Sequence, residues 1–150
     1  TGFDTQSIDM LVDLGLEQFK IPSGEITNLP YLRHVGNYGK QVIISTGMAS
    51  IAELDEAVCA IRESDCDQIV LLKCTSTYPA NPENSNVLTI PHMRELFGCE
   101  VGLSDHTLGL GTSVAAVAHG ATVIEKHFTL RRGDGGVEPR GQDRHHHPAV

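Results

Sequence analysis

Basic residues are scarce in this 150-residue chain: eleven Lys and Arg stand against nineteen Asp and Glu, for a formal net charge of −8. The few cations are scattered, with no basic run and no aromatic residues interleaved among them. That argues against a nucleic-acid-binding surface. No stretch approaches the roughly 18 to 20 apolar residues of a membrane span, and no signal-peptide pattern appears. Cysteine occurs only at Cys59, Cys66, Cys74 and Cys99, in no CxxC pair and no zinc-knuckle spacing. These read as reduced, structural thiols, which implies a cytoplasmic protein. What is present is an ordinary globular composition, 40% hydrophobic and 20% charged, in a length that supports one domain with a real core.

Helical and extended patterns alternate along the chain. Residues 7–14 form a short amphipathic stretch ended by Gly15, and 29–38 another ended by Gly39. Ser50 can cap a third helix, with Glu53 completing a capping box; Ile51, Leu54, Val58 and Ile61 share its face to about Glu63. Residues 89–97 and 109–119 are further helix patterns, with Pro91 tolerated in a first turn. Between them lie short apolar runs that start near residues 18, 41, 68, 100 and 122, the spacing of successive βα units. Five such strands fit an open doubly wound sheet or part of a (β/α)8 barrel, and periodicity does not separate the two. Residues 133–150 show no apolar periodicity and read as an irregular tail.

The chemistry sits just past the strand patterns. The first strand delivers Lys20, Ser23 and Glu25; the second Ser45; the third Ser76 and Tyr78; the fourth Ser104, Asp105 and His106; the fifth Glu125, Lys126 and His127. In parallel α/β architecture these ends share one rim, where chemistry happens. His106 and His127 end neighbouring strands, so two imidazoles there can share a divalent metal. Hydroxyls beside glycine, with a Lys, suit a phosphate or carboxylate. Taken singly, a hydroxyl after a strand is commonly only a helix cap, and Lys126 reads as a loop charge with Glu125 as its partner. Convergence on one rim is what points to a site. His34, His92 and His119 fall in helix patterns and read as surface or packing residues.

At these residues the chain resembles the sialic acid synthase family, the phosphoenolpyruvate-dependent synthases of nine-carbon sugar acids. The motifs that carry the resemblance are FKIPSGEITN at 19–28, ISTGM at 44–48, CTSTYP at 74–79, GLSDHTLG at 102–109 and IEKHFTL at 124–130. The first third looks most like N-acetylneuraminate synthases and the later part more like pseudaminate synthases. The resemblance implies a partial (β/α)8 TIM barrel, about strands 4 to 8, over residues 1–132. It also implies that the first three strands and the family's C-terminal antifreeze-like domain are absent, and that the tail from 133 is atypical.

The resemblance further implies condensation of phosphoenolpyruvate with an N-acyl hexosamine such as N-acetylmannosamine, releasing phosphate. In that reaction His106 and His127 hold a divalent metal, Mn²⁺ first, with Mg²⁺ or Co²⁺ as substitutes. Lys20, Ser23, Ser45 and Ser104 hold phosphoenolpyruvate. Glu25 contacts the sugar and transfers a proton, and Ser76 and Tyr78 line the sugar pocket. Glu138 stands where the family carries Asp. The full-length protein is expected to be a homodimer. The alternatives are a truncated, non-catalytic chain that at most binds metal and, more weakly, an unrelated metal-dependent aldolase on the same barrel.

Overall fold

A computed structural model describes residues 1–131 of the chain. The tail expected from 133, and Glu138 within it, lie outside the described residues. Five helices and five strands alternate: α1 Thr5–Asp13, β1 Gln18–Ile21, α2 Leu29–Gly36, β2 Gln41–Ser45, α3 Ile51–Arg62, β3 Ile69–Cys74, α4 Thr89–Phe97, β4 Glu100–Asp105, α5 Gly111–Ala118 and β5 Ile124–Lys126.

All five strands are parallel and lie in the order β1-β2-β3-β4-β5. A doubly wound sheet reverses its strand order at a switch point; this one never does. Right-handed crossovers that always step the same way put every connecting helix on one face. The sheet also curls. In a flat sheet, four inter-strand spacings of about 4.8 Å would hold β1 and β5 about 19 Å apart. Yet Lys20 Nζ on β1 lies 3.4 Å from Glu125 Oε2 on β5. The two edges lean toward each other across the concave face, so the architecture is a half-barrel.

Alternation along each strand divides the side chains between two environments. Phe19, Ile21, Val42, Ile44, Ile69, Leu71, Val101 and Leu103 face the helices. There they join Ile8, Leu32, Val35, Val58, Ile61 and Ile90 in one core. Fully burying such a side chain stabilises by about 1.5–3 kcal/mol. The opposite pleat carries Lys20, Ser45, Leu72, Cys74, Gly102, Ser104 and Glu125, which the register sets in rows: Ser45 beside Leu72, Leu72 beside Gly102, Ser104 beside Glu125.

Local signals set the helix starts. Ser50 Oγ accepts from Glu53 N at 3.3 Å while Ser50 N donates to Glu53 Oε2 at 2.8 Å, the expected capping box. The helix expected from 7 begins earlier, because Asp4 caps it by accepting from Ser7 N at 2.8 Å. The last strand is displaced from the apolar run at 121–124. Gly120 turns the chain at φ 89, and regular pairing is confined to Leu103↔Ile124, Ser104↔Glu125 and Asp105↔Lys126. Both His106 and His127 therefore lie one residue past a strand.

Candidate active site at the strand ends

β4 and β5 run side by side and end at the same level. Ser104 and His106, two residues apart, share one side of β4; Glu125 and His127 share the same side of β5. Ser104 Oγ donates to Glu125 Oε1 at 2.7 Å and lies 3.3 Å from His106 Nε2. Glu125 also meets the Lys20 ammonium from the far edge. The two imidazoles stand 5.2 Å apart, centroid to centroid, nearly perpendicular at 82°. Tyr78 covers both, with its ring 4.2 Å from His106 and 5.8 Å from His127. The loop that carries Tyr78 is pinned to this rim, because Ala80 N donates to His106 O at 2.8 Å.

The hydroxyl residues converge on the neighbouring strand ends. Ser45 is buried, and among the described residues its Oγ has no hydrogen-bond partner. Leaving a buried hydroxyl without a partner costs about 1–3 kcal/mol. Gly47 brings Ser23 and Ser76 together: a Cβ there would collide with the Ser23 side chain and lie 2.7 Å from Ser76 Oγ. With φ at 27, Gly47 also takes a backbone conformation that favours glycine. Cys74 Sγ sits 3.7 Å from Ser76 Oγ.

Glu25 is placed differently. It lies in a short 3-10 turn, Ser23–Glu25, and its Oε2 accepts from Asn28 Nδ2 at 3.0 Å. Its hydrogen-bond partner is the cap of α2, not a member of the Lys20–Glu125–Ser104 network.

One expected pairing is overturned. Glu125 does not partner Lys126. Neighbouring strand residues face opposite sides, so Lys126 points to the helix side, where its Nζ meets Asp105 Oδ2 at 3.0 Å. Burial alone would raise the Asp105 carboxyl. Hydrogen bonds from Ser113, from the Thr107 side chain and backbone, and from Lys126 outweigh it and hold the carboxyl below its usual range. Glu125 thereby joins the site, although sequence reasoning did not select it. The signal was its two-residue spacing from His127.

The imidazole pair can be tested against a divalent ion. Among the described residues no group of three or more His, Cys, Asp and Glu converges to hold a metal. A fully protein-ligated site of the structural zinc kind therefore does not fit. Two imidazoles 5.2 Å apart with the Ser104 hydroxyl and the Glu125 carboxylate beside them fit an ion that takes its remaining ligands from water or substrate.

Comparison with known proteins finds sugar-acid synthases among those that this chain is similar to. The sequence model of the NeuB family matches residues 1–141. The chain is 48% identical over 140 residues to the N,N'-diacetyllegionaminic acid synthase of Campylobacter jejuni subsp. jejuni serotype O:2, covering 92% of this chain and 42% of that one. It is 38% identical over 130 residues to the pseudaminic acid synthase of Helicobacter pylori, covering 87% and 38%. The sialic acid synthetase of Leptospira borgpetersenii serovar Hardjo-bovis, solved in complex with citrate, superposes with a TM-score of 0.83 at 36% identity, covering 87% and 45%. The chain thus spans less than half the length of these relatives.

Proposed function

The chain belongs to the NeuB family, and from that membership we propose that it forms strands 4 to 8 of the barrel of a synthase that condenses phosphoenolpyruvate with an N-acyl hexosamine. The products are a nine-carbon, sialic-acid-like sugar acid and inorganic phosphate. The observation that carries the reading is the pair His106 and His127 set beside the Lys20–Glu125–Ser104 network on one rim.

In the proposed reaction a carbon–carbon bond forms between the methylene carbon of phosphoenolpyruvate and the aldehyde carbon of the open-chain sugar. Water adds to the adjacent carbon, the carbon–oxygen bond to phosphate breaks, and the aldehyde oxygen takes up a proton. Lys20 and Ser45 bind the phosphate and carboxylate, with Ser23 and Ser104. The lone Ser45 hydroxyl supports this, since an incoming anion oxygen would satisfy it. Glu125 holds the Lys20 ammonium at the rim and accepts a hydrogen bond from Ser104, whose hydroxyl would turn from Glu125 to donate to an incoming anion. Tyr78 and Ser76 line the sugar side, and the Tyr78 ring keeps water from one face of both imidazoles. Glu25 moves a proton near the reacting carbon, and Glu138 contacts the sugar. The chemistry a divalent ion, Mn²⁺ first, would supply at His106 and His127 is Lewis-acid polarisation of the aldehyde oxygen.

Family membership also supports a homodimeric, cytoplasmic full-length protein. Among the described residues no helix is long and apolar enough to cross a membrane.

The test is phosphate release from phosphoenolpyruvate by the full-length protein, with N-acetylmannosamine or a diacetamido hexose as acceptor, in chelator and with added Mn²⁺. Release is expected only with metal and one acceptor class, and loss of it in His106→Ala with the fold retained. Full activity in chelator, or wild-type activity in His106→Ala, would refute the metal-assisted reading.

A further inference from the structure

The β4–β5 ladder stops one step short of the chemistry. Its last pair is Asp105↔Lys126, and the two imidazoles belong to the next residues along, where no strand pairing continues. β5 is itself only three residues long. Something else has to fix the distance between His106 and His127.

On the opposite side of the sheet, the side chains of that last pair form a closed cluster. The Asp105 side chain is fully buried. Its Oδ1 accepts from Thr107 N at 2.8 Å and from Thr107 Oγ1 at 2.7 Å. Its Oδ2 accepts from Ser113 Oγ at 2.6 Å and from Lys126 Nζ at 3.0 Å. Lys126 Nζ also donates to Thr107 O at 2.7 Å. The residues on either side of His106 are therefore both tied to the residue that precedes His127, and through Ser113 to α5. Alternation places these side chains on the face opposite the substrate side.

We propose that Asp105 and Lys126 are positioning residues: their part-buried ion pair, closed over Thr107, takes over from the ladder and sets the spacing of the imidazole pair. The proposal rests on the reading of His106 and His127 as ligands of one divalent cation. Ion binding depends on that spacing because both nitrogens must reach one centre. Outlying groups that orient metal ligands typically change metal affinity by about 10–100-fold when removed.

The experiment measures Mn²⁺ affinity of the full-length protein by electron paramagnetic resonance of the free ion, alongside thermal unfolding without metal. Lys126→Met keeps the aliphatic stem and removes the tie. The double variant Asp105→Asn with Lys126→Met removes both charges, so that neither is left buried alone. Lys126→Arg restores a cation. The expected result is Mn²⁺ binding weakened by about 10–100-fold in Lys126→Met and in the double variant, recovery in Lys126→Arg, and a metal-free unfolding transition that remains cooperative in the double variant. Wild-type affinity in a folded double variant would overturn the clamp while leaving the imidazole pair as ligands. A wild-type protein that binds no Mn²⁺, like His127→Ala, would overturn both.

Discussion

Substituting Ala for Gly102 tests how closely β4 and β5 approach. Gly102 lies on the concave pleat of β4, level with Leu72 of β3. A Cβ there would fall 2.8 Å from Leu72 Cδ2, 2.9 Å from the Val123 carbonyl carbon and closer still to the Val123 carbonyl oxygen. Carbon atoms rest about 3.5–4.0 Å apart, so the added methyl is at least about 0.6 Å too near on both sides. Leu72 can rotate; the Val123 backbone cannot without moving β5. Overpacking of this kind costs about 1–3 kcal/mol. Loosening the bond from Leu103 N to Val123 O, 2.9 Å long, adds about 1 kcal/mol. The expected destabilisation of Gly102→Ala is about 2–4 kcal/mol. Urea unfolding followed by far-UV circular dichroism reads it, since the chain has no Trp to report by fluorescence. Gly111→Ala is the contrast: nothing lies within 4 Å of that Cβ, and in the first turn of α5 Ala should be neutral or stabilising by up to about 1 kcal/mol. A Gly102→Ala midpoint equal to wild type, with unchanged slope, would refute the close approach.

Ser50→Ala removes the hydroxyl that accepts from Glu53 N at the start of α3; it should lower stability by about 1 kcal/mol in the same urea assay. At the opposite end of the sheet, Asp9 accepts from Tyr38 OH at 2.7 Å and contacts His34 Nε2 at 2.5 Å. The Tyr38 bond first, and then His34, hold its carboxyl below the usual range against slight burial. Its contribution is thus present above about pH 4, the ordinary carboxylate value, and is lost as pH falls through the depressed folded value. Asp9→Asn should flatten that part of the acid limb of a stability–pH curve; an identical limb would show that the triad contributes nothing.

The β-branched run of β2 was legible to the residue, because a strand buried between neighbours needs an apolar side chain at nearly every position. The α3 capping box was legible for a similar reason: both of its partners lie within four residues. Strand order was not, because periodicity describes one element at a time and is blind to which neighbour it joins. β4 runs on through Ser104 and Asp105, which look like a turn in sequence but are buried by contacts from β5 and α5. Charge adjacency makes Glu125 and Lys126 look like a pair in sequence, whereas the pleat sends consecutive residues to opposite sides. The contact of Lys20 with Glu125 joins residues at the two sheet edges and is visible only once the curl is known.

The sequential strand order bears on how the chain assembles. Each strand pairs only with its neighbours in sequence, so every loop closed on the way to the native state spans a single βα unit and the entropy of closure stays modest. A nascent chain emerging from the ribosome can dock each unit on an edge already made. Lys20 is laid down with the first of these strands, and Glu125 and His127 arrive with the fifth. Until then the apolar layer can form while the polar cluster stays open. The cluster of charges and imidazoles is therefore the last feature of the five-stranded sheet to close, its members being carried by the first strand of the sheet and the last.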